Sequence, residues 1–554
     1  MKVSDLFIKC LENEGVEYIF GMPGEETSDL MISLLDSKIK FILVRHEQGA
    51  AFMADVYGRL TQKVGVCLST LGPGATNLTT GVANANMDRS PILAITGQTG
   101  TDVLHKESHQ NMDVVTMFKP ITKWTWSIRN HDSVPEIIRR AFKISLAEKS
   151  GAVHLVLPQD IAKESSEIRP ITAQEVSRSR PNDELIKKGA KMILESQRPL
   201  LLVGNGVIRG NASTYLRRFV QQTRICSMNT FMAKGVISDK SETHLQTIGI
   251  KEADHAQLAM READLVIAVG YDLVEYSPKN WNRHLDKKII HIDFTLAEVD
   301  TYYPPTIEIA ADIEYTIDAL LNELEQMKKE NPSLKVFNQS EVPPIFRKIK
   351  DEVVWRVDRY KNDFSYPIKP EKLITDVRDI FDENDVVISD VGAHKLWIAK
   401  VYNTYSPNTC LITNGFCSMG FALPGAIAAQ LARPNQKVVA MCGDAGFLMN
   451  VQEIETAVRL NLPIISVVWC DSDLGMISLK QIDEFGKSAF TKFSNPDFVK
   501  LAESFGAIGY NVKSTEEFPR VLKEAKGSTH MPVIVSVNVD YSRNRILLDD
   551  NFIG

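Results

Sequence analysis

The chain has 554 residues, of which 44% are hydrophobic and 24% are charged, and its formal net charge is −7 at pH 7. This length allows three or four domains of ordinary globular composition. Lysine and arginine are spread along the chain without a basic tract, so the charge gives no support for nucleic acid or an anionic membrane as a partner and favours small molecules.

The chain opens with MKVSDLFIKCLENEGV, where apolar residues recur at helical spacing and charges occur throughout. A secretory leader would instead have a charged start, an apolar block and a cleavage site. We find no apolar run long enough to span a bilayer. The seven cysteines form no CxxC pair and mostly lie in apolar runs. We therefore expect a cytoplasmic protein with buried thiols, and neither zinc nor disulfides.

Apolar runs and helical segments alternate in three parts of the chain, which predicts parallel sheets covered by helices. The first part, residues 1–170, contains YIFGM, FILV and VGVCLST. The polar linker ITAQEVSRSRPNDE separates it from a central part at 185–335 with PLLLVGNG, ADLVIAVG and KIIHID. The third part, 365–554, contains DVVISDVG, KVVAMCGD, IISVVWCD and PVIVSVNV. The predicted fold class is α/β, with three doubly wound parallel-sheet domains.

The central part contains GNGVIRG, which places Gly204, Gly206 and Gly210 after an apolar run. The spacing differs by one residue from the dinucleotide-binding fingerprint, and we find no convincing acidic partner. We interpret the motif as a strand-to-helix turn.

The third part contains CGDAGFLMNVQEIETAVRLNLPIISVVWCDSD at residues 442–473, with the spacing of a strand, turn, helix and strand. Two strands joined by one helix are normally parallel neighbours, so Asp444 and Asp471 should lie side by side at one edge of the sheet. Crowded carboxylates favour a bound cation, and magnesium fits because it needs few carboxylates and accepts phosphate oxygens. The alternative is a helix cap and a turn former.

Three further clusters place glycine, proline or polar residues at strand ends. They are FGMPGEET at 20–27, RHEQGAAFMADVYGRLTQKVGVCLSTLGPGATNL at 45–78, and SDVGAHKLW with NGFCSMGFALPGAIAA at 389–429. Together with the 442–473 segment, they resemble the thiamine-diphosphate-dependent 2-oxo-acid enzymes, whose signature is a GDG-like turn followed later by an Asn/Asp pair. Here Ala445 replaces the second glycine, and Cys470 with Asp471 replaces the pair.

Within that family the chain is similar to the acetolactate synthases, particularly the flavin-independent catabolic form. The runs RHEQGAAFMADVYGRLT, SHQNMD, VGYDLVEYSPKNWN, ETAVRLNLPI and LAESFGAIG carry this resemblance over nearly the full length. It implies three domains of the thiamine-diphosphate enzyme type, binding the pyrimidine ring in the first and the diphosphate with magnesium in the third.

The resemblance also implies the cofactors, thiamine diphosphate and Mg²⁺, and the residues that bind them. The magnesium ligands would be Asp444, Asp471 and the backbone carbonyl of Asp473. The diphosphate would be held by Val391, Gly392, Ala393 and His394 and by Gly443, Asp444, Ala445 and Gly446. Met419 would lie under the bent cofactor, although methionine is more often plain core. The remaining implied contacts are Pro23, Glu47, Pro73, Asn77, Cys417, Leu474, Gly475 and Met476.

Four residues are implied as catalytic. Glu47 in RHEQ would contact the aminopyrimidine ring and shift it toward its imino form; the alternative is a solvated glutamate at a helix start. His109 and Gln110 in ESHQNMD match the HQ that catabolic synthases place over the reacting centre, with Gln110 hydrogen-bonding the intermediate; His109 could equally be a packed histidine. Lys480 replaces a family glutamine and Glu26 a family lysine, both on the substrate side.

The implied reaction decarboxylates pyruvate and joins the two-carbon unit to a second pyruvate, giving 2-acetolactate. The first part lacks the adjacent histidine pair that simple pyruvate decarboxylases use as a proton donor. Alternatives are a related lyase or carboligase with another 2-oxo acid or acceptor, and a non-catalytic regulatory relative. The GYDLVEY run resembles the flavin-free branch, so FAD is not expected. In this family the first and third domains meet across subunits, which implies a homodimer or homotetramer with active sites between subunits.

Overall fold

The computed structural model describes residues 1–174, 178–249, 255–331 and 342–544. Within these residues the backbone forms three parallel sheets of six strands each, one after another along the chain. In the first and third sheets an α-helix lies between each pair of successive strands, because parallel neighbours need a crossover connection, whereas only some of the described connections in the second sheet contain one. The predicted α/β class with three parallel-sheet domains is confirmed. The strands fall inside the three predicted parts of the sequence, while the predicted end of the central part near residue 335 lies outside the described residues.

The first sheet has the strand order β2-β1-β3-β4-β6-β5. Its strands are β1 (Tyr18–Gly21), β2 (Lys40–Leu43), β3 (Gly65–Ser69), β4 (Ile92–Gln98), β5 (Trp124–Ser127) and β6 (Ala152–Pro158). Its helices are α1 (Val3–Asn13), α2 (Ser28–Leu34), α3 (Glu47–Thr61), α4 (Gly72–Met87), α5 (Val114–Phe118), α6 (Val134–Leu146) and α7 (Gln159–Lys163). Helix α3 starts after an extended His46 and is capped at its C-terminus by Gln62, which adopts the left-handed conformation.

The second sheet has the order β12-β11-β10-β7-β8-β9. Its strands are β7 (Pro199–Val203), β8 (Cys226–Asn229), β9 (His244–Thr247), β10 (Leu265–Val269), β11 (Lys288–Asp293) and β12 (Ile307–Ala310). Its helices are α8 (Asp183–Glu195), α9 (Gly206–Arg209), α10 (Ser213–Thr223), α11 (His255–Glu262) and α12 (Ile313–Glu330). The GNGVIRG segment joins β7 to α9, so it is the strand-to-helix turn that its spacing indicates. A Cβ at Gly204 would lie 2.3 Å from the Gly270 carbonyl oxygen.

The third sheet follows helix α13 (Pro344–Lys361) and has the order β14-β13-β15-β16-β18-β17. Its strands are β13 (Val386–Ser389), β14 (Cys410–Ile412), β15 (Val438–Gly443), β16 (Ile465–Cys470), β17 (Ile508–Val512) and β18 (Val533–Asn538). Its helices are α14 (Pro370–Ile380), α15 (Ala393–Val401), α16 (Ala422–Ala432), α17 (Asp444–Met449), α18 (Glu453–Arg459), α19 (Gly475–Phe485), α20 (Phe498–Ser504) and α21 (Glu517–Lys526).

The first and third sheets share one hydrophobic core, because α3 packs directly against α16. The rings of Phe52 and Phe421 meet edge to face with centroids 5.6 Å apart. Gly425 makes this approach possible, since a Cβ there would lie 3.0 Å from a methyl group of Val56. Burying the two helix faces against each other fixes the relative placement of the two domains within a chain.

The described cysteines are all free thiols, and of these only Cys417 is exposed. Over the same part of the chain, none of the helices combines the length and the apolar character that crossing a membrane requires.

Candidate active site

The candidate site lies at the point where the strand order of the third sheet reverses. Strand β13 has β14 on one side and β15 on the other, and the loops that follow β13 and β15 therefore diverge and open a crevice. Gly392 adopts a φ of +133° in the first loop, a conformation that favours glycine. The second loop begins at Gly443 and leads straight into α17.

A cavity of about 350 Å³ occupies this crevice. It is large enough for a small-molecule ligand. It brings together all the third-domain residues predicted to touch the cofactor, namely Val391, Gly392, Ala393, His394, Cys417, Met419, Gly443, Asp444, Ala445, Gly446, Asp471, Asp473, Leu474, Gly475 and Met476. Lys395, Leu396, Trp469, Ile477 and Tyr541 complete the lining.

Asp444 and Asp471 are adjacent in the cavity wall, as the parallel pairing of β15 and β16 predicts. Oδ2 of Asp444 accepts the backbone N–H of Asp471 at 3.1 Å and that of Ser472 at 2.8 Å. Burial, and after it the negative charge of Asp444, raises the pKa of Asp471 to about 7. Two carboxylates that are crowded and partly desolvated in this way favour a cation between them.

The Asp473 carboxylate does not complete a three-carboxylate site. It forms an ion pair with Lys492 at 2.9 Å. Over the described ranges, no group of three or more His, Cys, Asp or Glu side chains is placed to hold a metal. A set of two carboxylates with a backbone carbonyl therefore fits this chain better than a cage of acidic side chains, and Mg²⁺ uses few carboxylates.

The cavity wall also fits a diphosphate. A Cβ at Gly443 would lie 3.1 Å from the His394 ring, and one at Gly446 would lie 3.1 Å from the Asp390 carboxylate, so a side chain at either position would crowd the wall, whereas glycine leaves the backbone open to a close ligand. Nε2 of His394 and Nε1 of Trp469 are buried without a hydrogen-bond partner among the described residues. Burial lowers the pKa of His394 to about 3, so the ring is neutral.

Sequence reasoning missed several residues that shape the cavity. Asp390 accepts the backbone N–H groups of Val391, Gly420 and Ala422 at 2.8, 3.1 and 3.2 Å, which ties the first loop to the segment that carries Met419. Its position as an acidic residue directly after a strand was the available signal. Asn495 donates to Oδ2 of Asp444 at 2.7 Å, and no local pattern marks it.

Lys395 is a further residue that sequence reasoning missed, and it belongs to the cavity wall. Its amine lies 2.9 Å from Oδ1 of Asn414 and 3.0 Å from Sγ of Cys417. Cys417 has a φ of +62°. The Lys395 amine therefore lies next to Cys417, one of the predicted cofactor contacts, and Lys395 lines the same cavity as Met419.

Glu47 lies in the first domain, where it is the first residue of α3 and only 7% exposed. This burial excludes the solvated glutamate considered as the alternative. Nδ2 of Asn77 donates to Oε2 of Glu47 at 2.9 Å. A Cβ at Gly74 would lie 3.2 Å from Oε1. The neighbouring Pro73 is exposed, so the structure brings Glu47, Pro73 and Asn77 to the starts of α3 and α4.

The other predicted first-domain residues lie near this group or at the surface. Gln110 has a φ of +55°, and its carbonyl oxygen would lie 2.7 Å from a Cβ on Gly72, at the start of α4. His109 and Pro23 are exposed, so His109 is not a packed core histidine within one chain. Glu26 accepts a hydrogen bond from the Thr70 hydroxyl at 2.6 Å.

Lys480 lies exposed on α19 in the third domain. Within the described part of one chain, Lys480 and Glu26 do not form an ion pair. The cavity lining comes entirely from residues 391–541, so Glu47 and its neighbours do not line it within the same chain. One chain therefore carries both halves of the predicted site, but at different places.

Three family profiles match the chain in order. They are the thiamine pyrophosphate enzyme N-terminal TPP-binding domain at residues 1–117, the central domain at 186–320 and the C-terminal TPP-binding domain at 390–537. Their order along the chain agrees with the order of the three sheets.

Curated relatives match along nearly the whole length. An acetolactate synthase of Bacillus subtilis (strain 168) is 34% identical over 549 residues, covering 99% of this chain and 95% of the relative. A probable acetolactate synthase large subunit of Methanocaldococcus jannaschii is 34% identical, covering 98% and 92%. A catabolic acetolactate synthase of Raoultella terrigena is 32% identical, covering 98% and 96%. The chain belongs to the acetolactate synthase family of thiamine pyrophosphate enzymes, as its motifs predicted.

Proposed function

We propose that this protein is an acetolactate synthase that uses thiamine diphosphate and Mg²⁺. It converts two molecules of pyruvate into one molecule of 2-acetolactate and one of carbon dioxide. The observation that carries the proposal is the presence in one chain of two complementary half-sites, a buried Glu47 held by Asn77 and a glycine-lined cavity that contains Asp444 and Asp471. A regulatory relative without activity would have no need to keep both.

The third domain holds the cofactor in this proposal. Asp444, Asp471 and the Asp473 carbonyl bind Mg²⁺, and the glycine turns at 392 and 443–446 let backbone N–H groups reach the diphosphate. When bound, thiamine diphosphate supplies the electron sink that decarboxylation of a 2-oxo acid requires. Met419 and the apolar residues of the lining exclude water from this space.

Glu47 acts as the acid–base group of the first domain. The Asn77 amide occupies Oε2, which leaves Oε1 to carry a proton toward the aminopyrimidine ring. The low exposure of Glu47 keeps this proton away from bulk water. Gln110, with its backbone against the start of α4, orients the bound substrate.

The two half-sites meet across a subunit interface, so the active unit is at least a homodimer. Support comes from the cavity lining, which takes no residue from the first domain. Glu47→Gln and Asp444→Ala variants test this directly. Each variant alone should be inactive. Mixed subunits should recover activity, because one site of a heterodimer combines an intact Glu47 with an intact Asp444. Failure of the mixture to recover activity would contradict shared sites.

Pyruvate is both donor and acceptor in this proposal, and FAD is not required. A second candidate is a related carboligase with another acceptor. It is favoured by Lys480 and Glu26, which replace family residues on the substrate side, and by the hydrogen bond that Glu26 accepts from Thr70. Incubating the purified protein with pyruvate, thiamine diphosphate and Mg²⁺, and identifying products by NMR, separates the two. Acetolactate supports the proposal, whereas acetaldehyde alone or no turnover contradicts it.

A further inference from the structure

Glu453, the first residue of α18, reaches from the third domain to the backbone just before Glu47. Its Oε1 atom accepts the N–H groups of Arg45 and His46, both at 3.0 Å. These two residues directly precede Glu47 in the chain. The turn that leads into α3 is therefore hydrogen-bonded by a side chain of the cofactor-binding domain.

Both oxygens of this carboxyl group have partners. The side chain of Glu453 is fully buried, and the Thr456 hydroxyl donates to Oε2 at 2.7 Å. Gly49 makes the contact possible, because a Cβ there would lie 2.9 Å from Oε1. Burial raises the pKa of Glu453 to about 7, and a proton on Oε2 would still leave Oε1 free to accept both N–H groups.

The two N–H groups depend on Glu453 because they precede the helix. The N-cap residue His46 uses its own ring nitrogen to accept the N–H of Gln48, which satisfies a different donor. The Glu453 carboxyl is fully buried, and a buried polar group without a partner costs free energy, so the contact fixes the path of the backbone into α3. Glu47 is thus held twice, by Asn77 at its side chain and by Glu453 at the preceding backbone.

We propose that Glu453 is a positioning residue for Glu47, an inference that rests on the proposed function. It sets the height and angle at which the Glu47 carboxyl meets the cofactor of the neighbouring subunit. The segment from Asp444 to Glu453 also connects two active sites. Asp444 belongs to the cavity of its own chain, whereas Glu453 holds the backbone before Glu47, which acts in the cavity of the neighbouring subunit. A misplacement of a catalytic group by about 1 Å can cost about 100-fold in rate.

Three variants test this role. Glu453→Ala removes the acceptor, Glu453→Gln keeps an oxygen at the Oε1 position, and Glu455→Gln is a control on the same helix, where Glu455 pairs with Arg459 at 2.9 Å. The measurements are the rate of C2 proton exchange in bound thiamine diphosphate by NMR, cofactor affinity by calorimetry, kcat and KM for pyruvate, and the melting temperature.

We expect Glu453→Ala to lower C2 exchange and kcat by about 10- to 100-fold while cofactor affinity and KM change less than about threefold. Glu453→Gln should recover most of the exchange rate, and Glu455→Gln should match wild type. Wild-type exchange in Glu453→Ala, or a loss of exchange matched by an equal loss of cofactor affinity, would overturn the positioning role.

If Glu453→Ala does not fold, Gly49→Ala provides the second test. Its Cβ displaces the carboxylate from the turn, and the same loss of exchange with retained cofactor affinity is expected; an unchanged exchange rate refutes the inference. Failure of the proposed function is seen separately, in wild-type protein that does not bind thiamine diphosphate or makes no acetolactate.

Discussion

The side-chain amide of Asn77 donates to the Glu47 carboxylate at 2.9 Å, joining the first turn of α3 to the second turn of α4. The contact leaves one carboxylate oxygen of a buried glutamate without a protein donor among the described residues. An acid–base residue needs this arrangement, because it must be held in place and still exchange a proton with a ligand.

Glu47→Gln should therefore lower the rate of C2 proton exchange by roughly 100-fold or more. Diphosphate anchoring should be largely retained, since the proposed magnesium ligands belong to the third domain. NMR exchange and calorimetry measure the two properties on the same samples, and Glu25→Gln, at an exposed position, is the matched control. An unchanged exchange rate would assign the catalytic role to another residue.

Asp444→Ala should abolish thiamine diphosphate binding in the presence of Mg²⁺, because it removes a proposed ligand of the ion that would anchor the diphosphate. Asp444→Asn separates the effect of the negative charge from that of the side chain's shape, because the asparagine oxygen can still accept the N–H groups of Asp471 and Ser472. Both variants should fail to bind in calorimetry, while Glu503→Ala on the exposed face of α20 binds normally. Retained affinity in Asp444→Ala would rule out the metal assignment.

The purified protein should be colourless. This expectation follows from the resemblance of GYDLVEY to the flavin-free branch. Absorbance between the near ultraviolet and the visible range, recorded on fresh protein and on a denatured supernatant, tests it. A flavin spectrum in either sample would contradict the proposed cofactor set.

Glu26 and Lys480 should be energetically coupled if the active site is shared between subunits. Glu26 belongs to the first domain and Lys480 to the third. They would therefore meet across the subunit interface, in the same way as Glu47 meets the cavity of the neighbouring subunit. A carboxylate near an anionic substrate is costly unless it is paired. Lys480→Gln should impair acetolactate formation, and adding Glu26→Lys should restore part of the loss. Simple additivity of the two substitutions in the double-mutant cycle would show that Glu26 and Lys480 do not interact.

Glu275 should make the stability of the protein pH-dependent. Burial raises the pKa of this carboxyl from 4.5 to about 7, so the folded protein retains a proton that the unfolded chain releases. Stability is therefore lost as pH rises from the unfolded value through the folded one, by up to about 3 kcal/mol at pH 8. Glu275→Gln cannot ionise and should escape this loss.

The melting temperature of Glu275→Gln relative to wild type tests the pKa assignment. It should be close to wild type at about pH 5 and higher by a few degrees at about pH 8. Glu195→Gln, whose carboxylate is largely exposed, should follow wild type at both values. Equal differences at the two pH values would show that Glu275 is ionised in the folded protein.

Local sequence determined the secondary structure of this protein and part of its site. Alternating apolar runs and helical segments predicted three parallel sheets, because the spacing of apolar residues along a strand or helix reflects which of its faces is buried. The adjacency of Asp444 and Asp471 also followed from local rules, since one helix between two parallel strands brings their carboxyl ends together. The motifs around Glu47 and Gly443 identified the family.

The tertiary structure alone decided which distant residues complete these groups. Asn495 reaches Asp444, and Glu453 reaches the turn before Glu47 across more than 400 positions of the chain. No periodicity encodes such contacts, and the Glu453 contact also depends on how α3 and α16 bury their faces in a shared core. That packing also keeps Glu47 away from the cavity of its own chain, because it fixes the first domain at a position from which none of its described residues lines the cavity.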